Sequence, residues 1–214
     1  MRHPGSLLPA VFPLVAGALL AGSCSLGRPS PPTRLYVLTA LAETDGSQGA
    51  AATSGLALAV GPVGLPEYVD RPQIVTGDSG NELQRAAFEQ WAEPLTTNFT
   101  RILANNLSIL LGTDRVAIFP WRGSVPIDYQ VVVDVTQFLG TRNGSVSLVA
   151  LWRVLGKDGR EVLISRQSRF TEATGSQDYG ALAAAMSRTV ASLSHEIAAA
   201  ITALPQHVSN TVAK

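Results

Sequence analysis

Apolar residues recur every three or four positions in two stretches of the chain, which predicts two amphipathic helices. The first helix opens at Pro94, where a missing N–H is tolerated, and it stops at Gly112. Its apolar face consists of Leu95, Phe99, Ile102, Leu103, Leu107 and Leu110. The second helix begins after Asp178, a favourable N-cap residue, and ends before Pro205. Its stripe consists of Leu182, Met186, Val190, Leu193, Ile197, Ile201 and Leu204.

Alternation of apolar and polar positions predicts strands elsewhere, most clearly in three consecutive segments after residue 128. The dipeptides Asn143-Gly144 and Asp158-Gly159 separate these segments, and both favour tight hairpin turns. The three segments therefore form an antiparallel meander. Residues 61–66 are rich in glycine and proline and are expected to turn. Shorter strands are predicted at residues 35–38, 56–60, 73–76 and 116–119, and residues 81–88 form either a strand or a helical turn.

Runs of strands interrupted by two helices indicate an α+β fold. We expect a mostly antiparallel sheet with the two main helices packed on one face. Residues 34–205 then form a single domain, and residues 206–214 form a flexible tail. The side of the second helix opposite its stripe is rich in alanine, which either faces solvent or permits close approach of a neighbouring element.

The N-terminal segment has the order of a secretory signal: Arg2, an apolar stretch at residues 7–20, then small residues. Cys24, the only cysteine, follows directly and resembles the lipidated cysteine of bacterial lipoproteins. Residues 1–23 are thus predicted to be a lipoprotein signal peptide, and residues 24–33 a lipidated tether. The alternatives are secretion with a chance cysteine, or an uncleaved anchor, although a span needs about 20 apolar residues.

Charge and motifs exclude several functions. Sixteen basic and sixteen acidic residues cancel, and no basic stripe typical of nucleic-acid binding is present. The sequence has no HExxH, CxxC or Walker pattern, and no glycine-rich dinucleotide motif follows a strand. We therefore expect a protein that is not an enzyme and that uses no metal or cofactor.

Three segments of the predicted loops combine proline with aromatic or charged residues: 65–72, 91–95 and 119–122. Such aromatic residues either cover the edges of a core or anchor a partner, because Trp, Tyr and Arg are enriched among residues that dominate binding. On the second interpretation the candidate partner-binding residues are Pro66, Tyr68, Arg71, Pro72, Trp91, Pro94 and Trp121.

Two of these segments also carry a family resemblance. Residues 61–76, which include Leu65-Pro66-Glu67-Tyr68-Val69-Asp70-Arg71-Pro72, resemble the main motif of the ABC-type transport auxiliary lipoproteins, the PqiC (paraquat-inducible protein C) family. Trp91-Ala92-Glu93-Pro94-Leu95 resembles its second motif. The resemblance extends from about residue 35 to residue 204. One departure is Gly77, where members of the family often carry arginine.

The resemblance implies a lipoprotein of the outer membrane, facing the periplasm and acylated at Cys24 with fatty acids such as palmitate. It implies a docking subunit for an MCE-domain protein in an ABC transport system for phospholipid or other hydrophobic cargo, and assembly into a homo-oligomeric ring. Ser25 fits outer-membrane sorting by the rules of enteric bacteria. The alternatives are a periplasmic lipoprotein that carries lipid in an apolar cavity, and an envelope hydrolase, which needs a polar pocket with a perturbed acid–base pair.

Overall fold

The computed structural model describes residues 30–43, 55–77, 81–121, 126–141 and 144–204. The predicted signal peptide, Cys24, most of the tether, Pro205 and the tail lie outside these ranges. The described elements all belong to one compact unit, Thr33–Lys214. In chain order they are β1 (Arg34–Tyr36), β2 (Leu58–Gly64), β3 (Gln73–Gly77), β4 (Leu83–Trp91), α1 (Leu95–Leu111), β5 (Val116–Ile118), β6 (Tyr129–Thr141), β7 (Ser145–Leu155), β8 (Val162–Ala173) and α2 (Tyr179–Thr202).

Both predicted helices are confirmed. Helix α1 ends at Gly112, whose left-handed backbone (φ 60°) suits a residue without a side chain. Helix α2 begins after Asp178, whose side chain accepts a hydrogen bond from the N–H of Ala181. The alanine-rich side of α2 is divided, because Ala183 and Ala198 lie in the core while Ala184 and Ala199 are exposed. Neither helix of the described residues is long and apolar enough to cross a membrane.

Strand β6 is the centre of the sheet. One of its edges pairs first with β2 and then with β3, and its other edge pairs with β7, which pairs with β8. Strand β4 lies between β3 and β1, and β5 lies outside β2. Alternate positions of β6 and β7 face the two helices, and together they form one apolar core around Phe99, Phe138 and Trp152.

The predicted meander of β6, β7 and β8 is confirmed, and residues 81–88 are part of a strand. The prediction of a mostly antiparallel sheet is wrong. The sheet is mixed, and four of the seven pairings among the described strands are parallel: β1–β4, β2–β5, β2–β6 and β3–β6. Parallel neighbours need long crossover connections, so they leave no hairpin signal in the sequence.

The glycine- and proline-rich stretch after Val60 also differs from expectation, because β2 continues through it to Gly64. Gly61 adopts a φ of 112°, and the register with β6 shifts between Val60 and Val63. The positive φ, which glycine adopts without steric cost, therefore gives an irregularity within the strand instead of a turn.

Residues 37–41, which we call the strap, follow β1 and belong to neither a helix nor a strand. Three backbone N–H groups of the strap donate to side chains of the two helices. The bonds run from Leu38 N to Asn98 Oδ1 (2.6 Å), from Thr39 N to Ser187 Oγ (3.1 Å) and from Leu41 N to Asn106 Oδ1 (2.8 Å). Helix side chains thus satisfy donors that a sheet would otherwise satisfy.

The same polar side chains join the helices to each other. Asn106 donates through Nδ2 to Ser194 Oγ on α2 at 3.1 Å, and both residues are fully buried. Leu38 places its side chain in the core with 2% exposure. The strap is therefore an integral part of the domain, although it lies only a few residues after the predicted tether.

The first testable prediction concerns the start of α1. Pro94 offers no side-chain cap, and Asp70 Oδ1 instead accepts a hydrogen bond from the Thr96 N–H at 3.0 Å. Asp70→Ala removes this cap and should lower the free energy of unfolding by about 0.5–2 kcal/mol. Urea denaturation measures the change. The control is Asp114→Ala, an exposed carboxylate outside the helix, and an equal loss of stability in both variants would contradict the prediction.

The second prediction concerns the strap. Asn98→Leu keeps the side-chain size but leaves the buried N–H of Leu38 without its acceptor, so it should cost about 1–3 kcal/mol of stability. The matched control is Asn105→Leu, an exposed position of the same helix, where the change should stay within about 0.5 kcal/mol. Denaturant midpoints that coincide for the two variants would show that the strap bond contributes nothing.

Candidate functional site

The loop between β2 and β3, residues 65–72, carries most of the candidate partner-binding residues. The N–H groups of Val69 and Asp70 both donate to the carbonyl oxygen of Pro66, at 3.0 and 3.2 Å, which closes a tight turn. Val69 inserts its side chain into the core with 3% exposure. Asp70 fixes the other side of the loop by capping α1. The loop is therefore held at both its centre and its end.

This anchoring turns several side chains of the loop toward the surface. Pro66 and Tyr68 are half-buried, and Pro72 is exposed. Arg71 is half-buried, and its Nη2 donates to the Glu67 carbonyl oxygen at 3.4 Å. Its Nε is buried and has no hydrogen-bond partner among the described residues.

Trp91 ends β4 next to the loop, and Pro94 lies just before the start of α1. The Trp91 N–H donates to the Pro72 carbonyl oxygen at 2.7 Å, which joins the end of β4 to the loop. The side chain of Trp91 is only 5% exposed and belongs to the core. Of the two interpretations of the aromatic residues, Trp91 fits the one in which they cover a core. We therefore do not count Trp91 among the surface residues of the candidate site. Pro94 is exposed at the start of α1.

Trp121 lies in a second place, beyond the end of the outer strand β5. Its ring contacts the ring of Phe119 edge to face, with centroids 5.6 Å apart. Phe119 and Ile118 are 47% and 42% exposed, so this edge of the sheet carries an apolar patch. Hydrogen bonds join the loop to the end of β4 and the start of α1. We therefore group Pro66, Tyr68, Arg71, Pro72 and Pro94 as one surface, which we call the loop surface, and Trp121 belongs to the patch after β5.

The charges around the loop surface have mixed sign. Glu67 and Asp70 are exposed acids, and Arg71 supplies a positive charge beside them. Glu93, just before α1, forms an ion pair with Arg101 in the second turn of that helix. No group of acidic, histidine or cysteine side chains among the described residues could hold a metal ion.

Sequence reasoning missed the residues that hold this region together. Asp70 was assigned only to a motif, and Asn98 and Asn106 were not singled out, yet all three bond backbone N–H groups far away in the sequence. A usable signal was present for the asparagines. They lie eight positions apart within a helix, on its buried side, where polar residues need partners.

Comparisons with known proteins agree with this description. The family model for the ABC-type transport auxiliary lipoprotein component matches residues 36–198. The comparison with curated proteins finds no match.

Two crystal structures share the fold. One, of an uncharacterized protein, is 21% identical with a TM-score of 0.64, covering 80% of this chain and 99% of its own. The other, protein XCC0632 from Xanthomonas campestris, is 20% identical with a TM-score of 0.65, covering 79% of this chain and 96% of its own. A PelC dodecamer from Paraburkholderia phytofirmans, 16% identical, has a TM-score of only 0.41, covers 79% of this chain and 95% of its own, and carries no argument here.

The residues matched by the family model include the loop surface, the strap and most of both helices, and they amount to well over half of the chain. The chain therefore belongs to the ABC-type transport auxiliary lipoprotein component family.

Proposed function

We propose that this protein is a non-catalytic docking subunit of an MCE-type ABC transport system. In this role it is anchored through lipidated Cys24 to the outer membrane, faces the periplasm and binds the MCE-domain protein through the loop surface. The cargo of the system is a phospholipid or another hydrophobic molecule. Membership of the family supports a role as a component of a transport system, and the remaining statements are our proposal.

The single observation that carries the proposal is the fixed geometry of the loop surface. Hydrogen bonds from Val69, Asp70 and Trp91, together with the buried Val69 side chain, order the loop before any partner arrives. A preordered loop avoids part of the entropy cost of association. It presents a tyrosine and an arginine, two residue types that often dominate binding energy.

The tether is short, and this supports a docking role close to the membrane. Ten residues, 24–33, separate the predicted lipid site from β1, so the tether spans at most about 33–36 Å. A homo-oligomeric ring, as the family resemblance implies, would place several loop surfaces around one partner.

The cleft beside the start of α2 is poorly suited to the carrier alternative. Binding a lipid chain needs an apolar cavity that buries most of the ligand surface. The cleft of about 360 Å³ in the described part of the chain is lined largely by hydroxyl and amide side chains. We therefore favour docking over lipid carriage.

The third prediction tests the loop surface. Tyr68→Ala and Arg71→Ala should each reduce recovery of the MCE-domain protein in a pulldown from detergent-solubilised membranes by tenfold or more, as expected for residues that dominate an interface. The matched control is Arg160→Ala, an exposed arginine in the turn before β8. Circular dichroism and the melting temperature verify folding.

Full recovery of the partner by a folded Tyr68→Ala and Arg71→Ala double variant would exclude the loop surface. Trp121→Ala serves as a separate comparison, because it changes only the patch beyond β5.

The fourth prediction tests the anchor. Cys24→Ala removes the thiol that the lipid would modify, so a C-terminally tagged protein should move from the membrane fraction to the soluble periplasmic fraction. Ser25→Asp should keep lipidation but shift the protein to the inner membrane if the enteric sorting rules apply. A Cys24→Ala protein that remains in the membrane fraction unchanged would refute lipid anchoring at this residue.

A further inference from the structure

The cleft lies where the ends of β3 and β6 meet the first turn of α2. Its volume of about 360 Å³ is within the range of roughly 300–1,000 Å³ for small-molecule sites. It is distinct from the loop surface, since β3 starts beside Pro72 and reaches the cleft only at Thr76. Four residue steps lead from Pro72 to Thr76, and a rise of about 3.3 Å per residue separates the two places by roughly 13 Å.

The wall of the cleft contains polar groups that the fold itself does not use. The amides of Gln84 and Gln177 and the hydroxyl of Thr76 line the cleft, and their side chains make no hydrogen bond to another described residue. Each amide offers two donor hydrogens and an acceptor oxygen, and the hydroxyl offers both kinds of group. These three side chains are available to a ligand.

Ions find little to bind in this cleft. Among the described residues that line it there is no lysine or arginine, and the one charged residue is Asp178. Hydrogen bonds from the Ser176 hydroxyl and the Ala181 N–H lower the pKa of the Asp178 carboxyl. The carboxylate is therefore ionised at neutral pH and caps α2. An anion would find the N-terminus of α2 already capped by Asp178. A cation would find a carboxylate whose two oxygens already accept hydrogen bonds from Ser176 and Ala181.

Apolar surface completes the wall. Leu182 is seated against Gly140 so closely that a Cβ at that glycine would lie 2.2 Å from Leu182 Cδ1. Tyr179 contacts the ring of Tyr36, with centroids 6.4 Å apart. Burial, and secondarily the nearby Glu89 and Tyr36, raises the pKa of Tyr179, so its phenol stays neutral. Hydrogen-bonding groups without charge thus stand beside two apolar side chains.

We propose that this cleft binds a neutral sugar unit. A pyranose ring has hydroxyl groups at its edge, which match the free amides of Gln84 and Gln177, and C–H faces, which match Leu182 and the Tyr179 ring. An anionic ligand has no counter-charge among the described lining residues, and a lipid chain would leave the amides and the Thr76 hydroxyl without partners. The site is independent of the docking function, because it shares no lining residue with the loop surface.

The fifth prediction tests this site on the purified full-length protein in detergent, by saturation-transfer NMR and titration with glucose, galactose and N-acetylglucosamine. At least one sugar should bind saturably at millimolar concentration. Gln84→Leu and Gln177→Leu should each weaken binding about two- to tenfold, the loss expected for one neutral hydrogen bond. Gln167→Leu, the same substitution on the exposed part of β8, should leave binding unchanged.

Three results would overturn the proposal. They are absence of binding by all three sugars, equal affinity of Gln84→Leu and Gln167→Leu, or tighter binding of glucose 6-phosphate than of glucose. The melting temperature of each variant establishes that it is folded. Recovery of the MCE-domain protein by the Gln84→Leu and Gln177→Leu variants separates this test from the docking test, since loss of sugar binding should leave docking intact.

Discussion

The arrangement depends on one constraint in the sheet: β2 and β3 share the same edge of β6. Gly64 pairs with Asp134 and Thr76 pairs with Gly140, so twelve residues of one chain segment must cover the distance of six residues on the other. The excess cannot lie flat in the sheet. It leaves as the β2–β3 loop, inserts Val69 into the core and meets α1. The position of the loop surface is therefore set by the pairing of β2 and β3 with β6.

A second requirement is to satisfy the backbone where regular structure stops. The strap after β1 has no strand partner, and leaving the buried N–H of Leu38 without a hydrogen bond would cost about 1–3 kcal/mol. Asn98, Asn106 and Ser187 supply the acceptors from the two helices. The segment nearest the predicted lipid anchor is thereby fixed to the same helices that cover the sheet.

Local signals in the sequence were sufficient to predict the helices and strands, but not which strands pair with each other. Some signals depend on residues only a few positions apart, and the predictions made from them were confirmed. They are the apolar stripes of α1 and α2, the helix end at Gly112 and the turns at Gly144 and Gly159. The parallel pairings and the Asp70 cap join residues far apart in the sequence, and no local pattern encodes them. For the candidate site, the motif residues lie in the β2–β3 loop, and only burial distinguishes Trp91, which lies in the core, from Tyr68, which is half-buried.

Strand β3 gives the molecule its functional order, because its two ends serve different places. Gln73 follows directly on the loop surface, while Thr76 lines the polar cleft beside the start of α2. The strand pairs with β4 from Gln73 to Gly77 and with β6 at Thr76 and Gly77, which fixes the separation of the two places. A ligand in the cleft would not need to compete with a partner on the loop. The pairing of β3 thus places the proposed docking surface and the proposed sugar site at two ends of one short strand.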